Sequence, residues 1–522
     1  MNNFQRAFSI LSYLQDAGVR HMVLSPGSRN APIMIALKHF PNIKVHLQPD
    51  ERSAAYIAMG ISLMTQQHAV CCCTSGTAVA NYYPAIIESY YLQAKLICLT
   101  ADRPAKAVDN RMGQTIRQNG IFGTYAETYN IEENELVDAE KIAQVLGRNQ
   151  PAHINIAFEE PLYLDDAAPI NIPKLPAEDS GDCLAQFEQA SFILSQCTRP
   201  LVLIGQMETN AELSKEIEQW IGLGVEVAGE PLCNIPGVIS HLDLFLQKNQ
   251  PYWDCVISIG RDWVSKRIKQ AFDCPIIHIE KGLHAPQQFG KISAHLSCSA
   301  VVGLQQLRTK IGTLRAENRL GIWNAQVQSA LNAQKKDWSD FTAIQHLINA
   351  IPANSIVHLG NSSAVRYAML FPRMDVEWFS NRGTAGIDGS LSTAIGQALS
   401  TNKQVYCLLG DISLFYDSNA LWVKPENLCV LVINNAIGHI FELIAGPEQQ
   451  PHIAEWQQSP HSLNLAALSQ AFGWRHFVAN NPEEITAALT QSVKGPKVIE
   501  IITRDCRNAE IFKEVIREIS KH

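Results

Sequence analysis

Short apolar segments, each followed by a polar turn and a longer segment with helical periodicity, repeat through the first 165 residues. The apolar segments read RHMVL, KVHLQ, HAVCCC and KLICLT. Segments this short, alternating with helical patterns, indicate βαβ units around a buried parallel sheet. The polar turns SPGSRNAP, PDER, TSGTA and ADRP then lie beyond the carboxyl ends of the strands, where ligands of such sheets bind.

The same pattern returns twice along the chain. Strand-like segments read PLVLIG, VEVAG, DCVISIG and CPIIHIE in the middle, and SIVHL, VEWFS, VYCLL, LCVLVI and KVIEII towards the end. A Pro- and Asp-rich stretch without periodicity, DDAAPINIPKLPAEDSGD, separates the first two sets and predicts a linker. We therefore predict an α/β protein with three parallel-sheet domains, over 1–165, 183–325 and 326–522, and a linker over 166–182. The middle segment has no GxGxxG-type loop, so no nucleotide site is predicted there.

Composition narrows the classes of partner. The 522 residues are 46% hydrophobic and 18% charged with a net charge of −8, and no block of Lys and Arg occurs. This balance argues against nucleic acid as a partner. The 13 cysteines include no CxxC pair, a usage typical of reduced thiols in the cytoplasm.

The first residues indicate a helix and no targeting segment. Phe4, Phe8, Leu11 and Leu14 have the spacing of an amphipathic helix, and no basic flank precedes a purely apolar core. No run approaches the roughly 18 apolar residues that a membrane helix needs. We expect a soluble cytoplasmic protein without a membrane span.

Two strand-like segments of the last domain end in oxygen-bearing side chains. VYCLL leads into Gly410-Asp411, and LCVLVI leads into Asn434-Asn435. Either pair alone is explained by ordinary turn chemistry. If the two strands are neighbours, however, Asp411 and Asn435 emerge side by side and offer the hard oxygen ligands that suit Mg²⁺. A metal-bridged diphosphate is the physical hypothesis.

A Gly-Asp pair followed about two dozen residues later by Asn-Asn resembles the diphosphate–metal signature of thiamine-diphosphate enzymes. The motifs SPGSRNAP, DERSAAYIAMG, TSGTAVANYYPAIIE, LTADRP, SKR, GNSSAVR and NRGTAGIDGSLSTAIG stand around it, between residues 24 and 444. Together they resemble the 2-succinyl-5-enolpyruvyl-6-hydroxy-3-cyclohexene-1-carboxylate synthase family of menaquinone biosynthesis. The resemblance implies a transferase with pyrimidine-binding, central and diphosphate-binding domains.

The resemblance also implies a reaction and its cofactors. Thiamine diphosphate and Mg²⁺, with Mn²⁺ as an alternative metal, would support decarboxylation of 2-oxoglutarate and 1,4-addition of the resulting carbanion to isochorismate. Members of the family associate as dimers or dimers of dimers, in which the first domain of one chain faces the third domain of another. We therefore expect self-association with shared active sites.

The resemblance assigns roles to individual residues. Glu51 is the catalytic glutamate that hydrogen-bonds N1′ of the cofactor's pyrimidine, although a helix first-turn acid explains it equally well by position. Asp411, Asn435 and the carbonyl of Ile437 are the implied metal ligands. The implied cofactor-binding residues are Glu51, Ser362, Arg382, Ile387, Asp411, Ile412, Ser413, Asn435 and Ile440, with Ile387 as the apolar wedge that bends the cofactor.

The implied substrate-binding residues are mostly cations. Singly, each is expected to be a solvated surface charge; gathered at one site in an acidic protein, they would bind the carboxylates of both substrates. They are Ser28, Arg29, Arg103, Gln114, Lys266, Arg267, Arg366 and Arg382, with Phe441 and Ile444 as an apolar lid.

Three departures from the family pattern stand out. The chain has NNAIGH in place of NNxGG, Gly113 in place of an asparagine, and an Asp–Asn spacer a few residues short. Two alternative functions are another thiamine-diphosphate 2-oxo acid decarboxylase or synthase, and a non-catalytic α/β homologue. Enzymes of the first kind usually have glycine where this chain has Ile412, and they lack SPGSRNAP.

Overall fold

The structure, a computed structural model, describes residues 1–147, 150–163, 172, 174–175, 187–281, 289–290, 292–315, 318–444, 446–492, 495–504 and 506–520. The predicted linker over 166–182 lies almost wholly outside these residues. Among the helices of the described ranges, none is both long and apolar enough to cross a membrane.

The first domain is a six-stranded sheet whose strands are all parallel, in the order β2-β1-β3-β4-β6-β5. Its central strands are completely buried, as their continuous apolar sequences predict. The strands are β1 (His21–Leu24), β2 (Lys44–Leu47), β3 (Ala69–Cys73), β4 (Leu96–Asp102), β5 (Glu127–Ile131) and β6 (Ala152–Ala157). The helices are α1 (Asn3–Asp16), α2 (Ala31–Leu37), α3 (Glu51–Thr65), α4 (Thr77–Ala80), α5 (Tyr83–Leu92) and α6 (Ala139–Leu146).

Side-chain caps start the helices that matter most for the site. Asn2 and Gln5 form a reciprocal capping box at α1, the helix predicted from its apolar spacing. At α3, the Asp50 side chain accepts hydrogen bonds from the amides of Arg52 and Ser53. The cap fixes Glu51 as the first residue of α3, directly after strand β2.

The middle domain is a five-stranded parallel sheet in the order β11-β10-β9-β7-β8. Its strands are β7 (Pro200–Ile204), β8 (Glu226–Gly229), β9 (Cys255–Ile259), β10 (Ile276–Ile279) and β11 (Ala294–Leu296). Its helices are α7 (Phe187–Ser195), α8 (Ala211–Gly222), α9 (Leu242–Leu246), α10 (Lys266–Gln270), α11 (Ala300–Arg308) and α12 (Arg319–Asn332). The predicted boundary after residue 325 falls inside α12, and the domain boundaries stay predictions.

The third domain repeats the strand order of the first: β13-β12-β14-β15-β17-β16, again all parallel. Its strands are β12 (Ile356–Leu359), β13 (Glu377–Ser380), β14 (Val405–Gly410), β15 (Leu428–Asn434), β16 (Arg475–Ala479) and β17 (Lys497–Ile502). Its helices are α13 (Asp340–Ala350), α14 (Ser363–Ala368), α15 (Ser390–Leu399), α16 (Asp411–Tyr416), α17 (Ile440–Leu443), α18 (Ala454–Gln458), α19 (Leu465–Ala471), α20 (Pro482–Thr490) and α21 (Asn508–Ile519). The three all-parallel sheets confirm the predicted fold class.

The first and third domains share one hydrophobic core. Helices α3 and α15 form its centre and approach so closely that only glycine fits at two points. A Cβ on Gly60 would lie 2.1 Å from the Thr393 carbonyl oxygen, and one on Gly396 would lie 2.0 Å from that of Ile57. Because interiors are packed without slack, this contact fixes the two domains of one chain against each other.

Candidate active site

A cleft of about 510 Å³ lies at the carboxyl ends of the third domain's strands, and the middle domain covers one side of it. Its floor comes from the turns after β12, β14 and β15, as expected for an open parallel sheet. The cleft brings together most of the predicted cofactor and metal residues: Ser362, Arg382, Ile387, Asp411, Ile412, Ser413, Asn435, Ile437 and Ile440.

Asp411 is the first residue of α16 and is 2% exposed. Its Oδ1 accepts the Ile412 amide at 2.7 Å, and its Oδ2 accepts the Ala436 amide at 2.7 Å. Nε2 of His461 lies 3.3 Å from the same Oδ2. Burial raises the pKa of the Asp411 carboxyl, while the two amides and the histidine oppose the rise. The carboxylate therefore joins the turn after β14 to the turn after β15, its neighbour in the sheet.

The Asn435 amide has a fixed orientation. Its Nδ2 donates to Asp340 Oδ2 at 2.9 Å, and its Oδ1 faces the turn, where the Ile437 amide lies 3.3 Å away. Asp340 is fully buried, accepts the Thr503 hydroxyl at 2.6 Å, and has its pKa raised by burial to about 6. Because Asp340 binds the nitrogen of the Asn435 side chain, the amide oxygen, a suitable metal ligand, points away from Asp340.

Carboxylate, amide and carbonyl oxygens are the donors that Mg²⁺ prefers. In the described part of the chain, no group of three or more His, Cys, Asp or Glu side chains is arranged to hold a metal ion. The predicted ligand set of Asp411, Asn435 and the Ile437 carbonyl is of a different kind, and it stays a prediction.

Two arginines, Arg366 and Arg382, also line the cleft. Arg366 donates to the Ser362 carbonyl at 2.7 Å, and Arg382 donates to Asn361 Oδ1 at 2.7 Å. Burial, and next the charge of Arg382, lowers the pKa of Arg366. Nε of Arg382 is buried with no hydrogen-bond partner among the described residues, and a ligand carboxylate would satisfy it.

The middle domain contributes a lysine-bearing wall. Trp263, Val264, Lys266 and Lys269 line the cleft. The backbone of this segment is held by Glu230, which accepts the amides of Val264 and Ser265 at 2.6 and 2.9 Å. Arg267 is not part of the wall: it pairs with Asp243 at 2.9 Å on the other side of α10. The structure brings Lys266, but not Arg267, to the cleft.

The remaining walls are apolar. Ile387, Ile412, Ile433, Ile440 and Phe441 line the cleft. Ile444 follows α17 as its C-cap, is 39% exposed and lies outside the cleft lining. Phe441 therefore lines the cleft and Ile444 does not, and the lid stays a prediction.

The first domain carries a second group of predicted residues. Glu51 is half-buried, and its Oε2 accepts the Asn81 side-chain amide at 3.1 Å. Arg29 is 5% exposed and donates to the Phe158 carbonyl at 3.0 Å. Burial, and then repulsion from Arg103, lowers the pKa of Arg29, so the two guanidinium groups are neighbours.

Ser28 and Gln114 are exposed at the same strand ends. The Gln114 carbonyl accepts the Ser75 hydroxyl at 2.8 Å, which holds the segment after β4 against the turn after β3. A Cβ on Gly113 would meet only open space, so an asparagine side chain would fit there. None of these first-domain residues lines the third-domain cleft of the same chain.

Among the residues around the cleft that sequence reasoning missed, five have side chains that bear on its charge and hydrogen bonding. Lys269 lies one helical turn after Lys266, a spacing visible in the sequence. Asp340, His439, Gln457 and His461 gave no such signal, because their approach depends on the packing of α13 and of the segments around α17 and α18.

Comparison with known proteins identifies the two outer domains. Residues 6–121 match the thiamine pyrophosphate enzyme N-terminal TPP binding domain, and residues 359–501 match the C-terminal TPP binding domain. Proteins named 2-succinyl-5-enolpyruvyl-6-hydroxy-3-cyclohexene-1-carboxylate synthase are similar over almost the whole chain. The one from Cytophaga hutchinsonii is 34% identical over 99% of both chains. The one from Desulfotalea psychrophila is 34% identical over 93% of this chain and 95% of its own.

Proposed function

Because the chain belongs to the 2-succinyl-5-enolpyruvyl-6-hydroxy-3-cyclohexene-1-carboxylate synthase family, we propose that it decarboxylates 2-oxoglutarate and adds the remaining four-carbon unit to isochorismate. The product would serve menaquinone biosynthesis. The observation that carries the proposal is the cleft in which Asp411, Asn435, Arg366, Arg382 and Ile387 meet.

The residues of the cleft fit thiamine diphosphate with Mg²⁺. Asp411 and Asn435 offer a carboxylate and an amide oxygen to the metal, and the Ile437 carbonyl offers a third ligand. The apolar walls formed by Ile387, Ile412 and Ile440 suit the cofactor's rings. When bound, the cofactor supplies the nucleophilic carbon and stabilises the negative charge left by loss of CO₂.

Protein groups supply position, charge and one proton contact. We infer that Glu51 holds a proton at N1′ of the pyrimidine, which makes the cofactor's amino group a base. Arg366 and Arg382 bind the carboxylates of the oxo acid through charge-assisted hydrogen bonds. Lys266, Arg29 and Arg103 hold the two carboxylates of isochorismate. The apolar wall with Phe441 would exclude water from the reaction centre.

We propose further that two chains complete each site. Glu51 and Arg29 lie at the strand ends of the first domain, whereas Asp411 and Arg382 line a cleft to whose lining no described first-domain residue of the same chain contributes. A second chain that brings its first domain to this cleft would supply Glu51, and a two-fold pair would form two such sites. The cysteines that the structure describes are free thiols, which supports a cytoplasmic location.

The test is a product analysis by mass spectrometry. The protein is mixed with Mg²⁺, thiamine diphosphate, 2-oxoglutarate and isochorismate, with each component omitted in turn. We expect a product with the combined mass of both substrates less CO₂, and only in the complete mixture. Loss of CO₂ from 2-oxoglutarate without addition to isochorismate would instead indicate another decarboxylase or synthase. No turnover of either substrate, with bound cofactor, would indicate a non-catalytic homologue.

A further inference from the structure

The loop from Arg382 to Gly389 joins β13 to α15 and carries three residues of the cleft, Arg382, Ala385 and Ile387. Its own domain holds it at two carbonyls: Asn361 donates to the Gly386 carbonyl at 2.7 Å, and Ser413 donates to that of Ile387 at 3.0 Å. Its other side lies against the first domain of the same chain, and that side is bound at both ends of the loop.

Glu88 of α5 binds the beginning of the loop. Its Oε1 accepts the Gly383 amide at 2.8 Å, and its Oε2 accepts the amide and hydroxyl of Thr384 at 2.7 and 2.6 Å. The side chain is 1% exposed. A Cβ on Gly383 would lie 2.8 Å from the Glu88 carbonyl oxygen and 2.9 Å from Tyr91 Cβ, so loop and helix are in direct contact.

Tyr56 of α3 binds the end of the loop. Its hydroxyl donates to Asp388 Oδ2 at 2.9 Å. A Cβ on Gly389 would lie 2.4 to 2.5 Å from three atoms of the Tyr56 ring. The tyrosine is 2% exposed, and therefore hydroxyl and ring together determine where the loop enters α15.

Packing alone does not account for these contacts. Burial raises the pKa of the Glu88 carboxyl against three donors that favour its charged form, and taking a carboxylate out of water is costly even when it is hydrogen-bonded. Helices α3 and α15 already join the two domains through an apolar contact. What the polar contacts add is direction, because hydrogen bonds to two successive amides fix the backbone path of the loop.

We propose that Tyr56 and Glu88 are positioning residues that set the path of the Arg382–Gly389 loop, and with it the placement of Ile387 and Arg382 against the cofactor. The proposal rests on the proposed function for its catalytic consequence. Its structural consequence, the path of the loop, can be measured on the protein without cofactor or substrate. A displacement of about 1 Å at a reacting centre lowers rates by up to about 10²-fold, so small changes in this loop are measurable.

The first experiment is amide hydrogen exchange by mass spectrometry on Glu88→Gln and Tyr56→Phe without cofactor. Glu88→Gln replaces one of the two oxygens that accept from Gly383 and Thr384 with a donor, and it keeps the size of the side chain. We expect peptides covering residues 383–389 to exchange at least about 5-fold faster in both variants. Tyr129→Phe is the matched control, since it also removes a first-domain hydroxyl, bonded at 3.0 Å to the Asp138 amide away from the loop. Unchanged exchange in this loop would overturn the proposal, whatever the protein catalyses.

The second experiment measures hydrogen–deuterium exchange at C2 of the bound cofactor, by acid quench and proton NMR. We expect exchange per bound cofactor to fall about 10-fold in both variants, while the Kd for thiamine diphosphate changes less than about 3-fold. A lower melting temperature with parental C2 exchange would mean that the contacts only join domains, which contradicts the proposal. A parent protein that binds the cofactor without C2 exchange would contradict the proposed function, and the catalytic part of the proposal with it.

Discussion

The first and third domains share one strand order but carry different chemistry at the carboxyl ends of their strands. In the third, the turns after β14 and β15 join through Asp411 and enclose a cleft. In the first, the turns after β1 and β4 hold Arg29 and Arg103, while Ser28 and Gln114 at the rim are exposed. One domain has an enclosed site and the other an open edge.

The difference shows that topology determines where a site lies and side chains determine what it does. Helices α3 and α15 occupy matching places, after β2 and β13. Helix α3 begins with Glu51, whereas the first turn of α15 contains Ser392, whose amide and hydroxyl donate to the buried Asp417. Under the proposed function, the first domain would supply one half of a shared site and the third domain would supply the other half.

The largest effect is expected at Glu51. Glu51→Gln removes one proton contact and little volume, so turnover should fall about 10²- to 10⁴-fold while cofactor affinity stays near that of the parent. Product formation and cofactor titration measure the two quantities. Glu140→Gln is the matched control, because Glu140 also lies in the first turn of a helix with an aspartate cap. Turnover within about 3-fold of the parent would leave Glu51 as only a helix first-turn acid.

The next effect tests the third domain. Asp411→Ala removes the carboxylate between the two turns, so Mg²⁺-dependent binding of thiamine diphosphate should weaken by at least about 10²-fold. Isothermal titration with and without Mg²⁺ measures the change. Asp375→Ala is the control, since Asp375 pairs with Arg373 in the same domain and lies outside the cleft lining. Unchanged affinity for thiamine diphosphate would mean that the ends of β14 and β15 are ordinary turns without a role in cofactor binding.

Mixing the two variants tests whether the half-sites of different chains combine. In a mixed dimer of Glu51→Gln and Asp411→Ala chains, one site receives both lesions and the other receives none. Random exchange of subunits should then restore activity to about a quarter of the parent level, because about half of the dimers are mixed and one of their two sites is intact. Mass photometry or native mass spectrometry establishes that exchange occurs. No recovery after exchange would mean that each chain completes its own site.

The sequence predicted the three sheets and the family, because both depend on local signals. Continuous apolar strands and polar turns identify parallel sheets, and motifs such as SPGSRNAP and NRGTAGIDG identify the family, as the similar proteins confirm. Asp411 and Asn435 were brought to one cleft as predicted, since β14 and β15 are neighbours. Whether they bind metal stays a prediction.

The sequence could not predict contacts that depend on packing between distant elements. Arg267 belongs to the SKR motif, but α10 turns it towards Asp243 and away from the cleft. Asp340 is 95 residues from Asn435, and nothing near it in sequence signals that it orients the amide. The path of the loop after Arg382 depends likewise on Glu88, 295 residues from Gly383.

The smallest effect is expected at Asp417. This acid of the third domain lies in the region that matches the surroundings of Glu51 in the first domain. Asp417 follows α16 and accepts the amide and hydroxyl of Ser392 at the start of α15, each at 2.7 Å. In the first domain, Asn81 follows α4 and donates to Glu51 at the start of α3. In the third domain the acid of the pair, Asp417, follows the short helix α16. In the first domain the acid of the pair, Glu51, stands at the start of the long helix α3. We expect Asp417 to affect stability, and Glu51 to affect catalysis.

Burial raises the pKa of Asp417 from 3.8 to about 7. The folded protein therefore binds this proton more tightly than the unfolded chain does, and the group's contribution to stability is full below about pH 4 and declines as the pH rises to about 7. In Asp417→Asn the new side chain cannot titrate, and its amide can still accept from the Ser392 amide and donate to the hydroxyl. The melting temperature of Asp417→Asn minus that of the parent should therefore increase, by at most several degrees, from pH 5 to pH 8. Glu51→Gln is the comparison variant, with a melting temperature expected to stay parallel to that of the parent over the same range. If the difference between the melting temperatures of Asp417→Asn and the parent does not change with pH, burial does not disfavour the charged form of Asp417. The contrast between a structural acid in the third domain and a catalytic acid in the first would then fail.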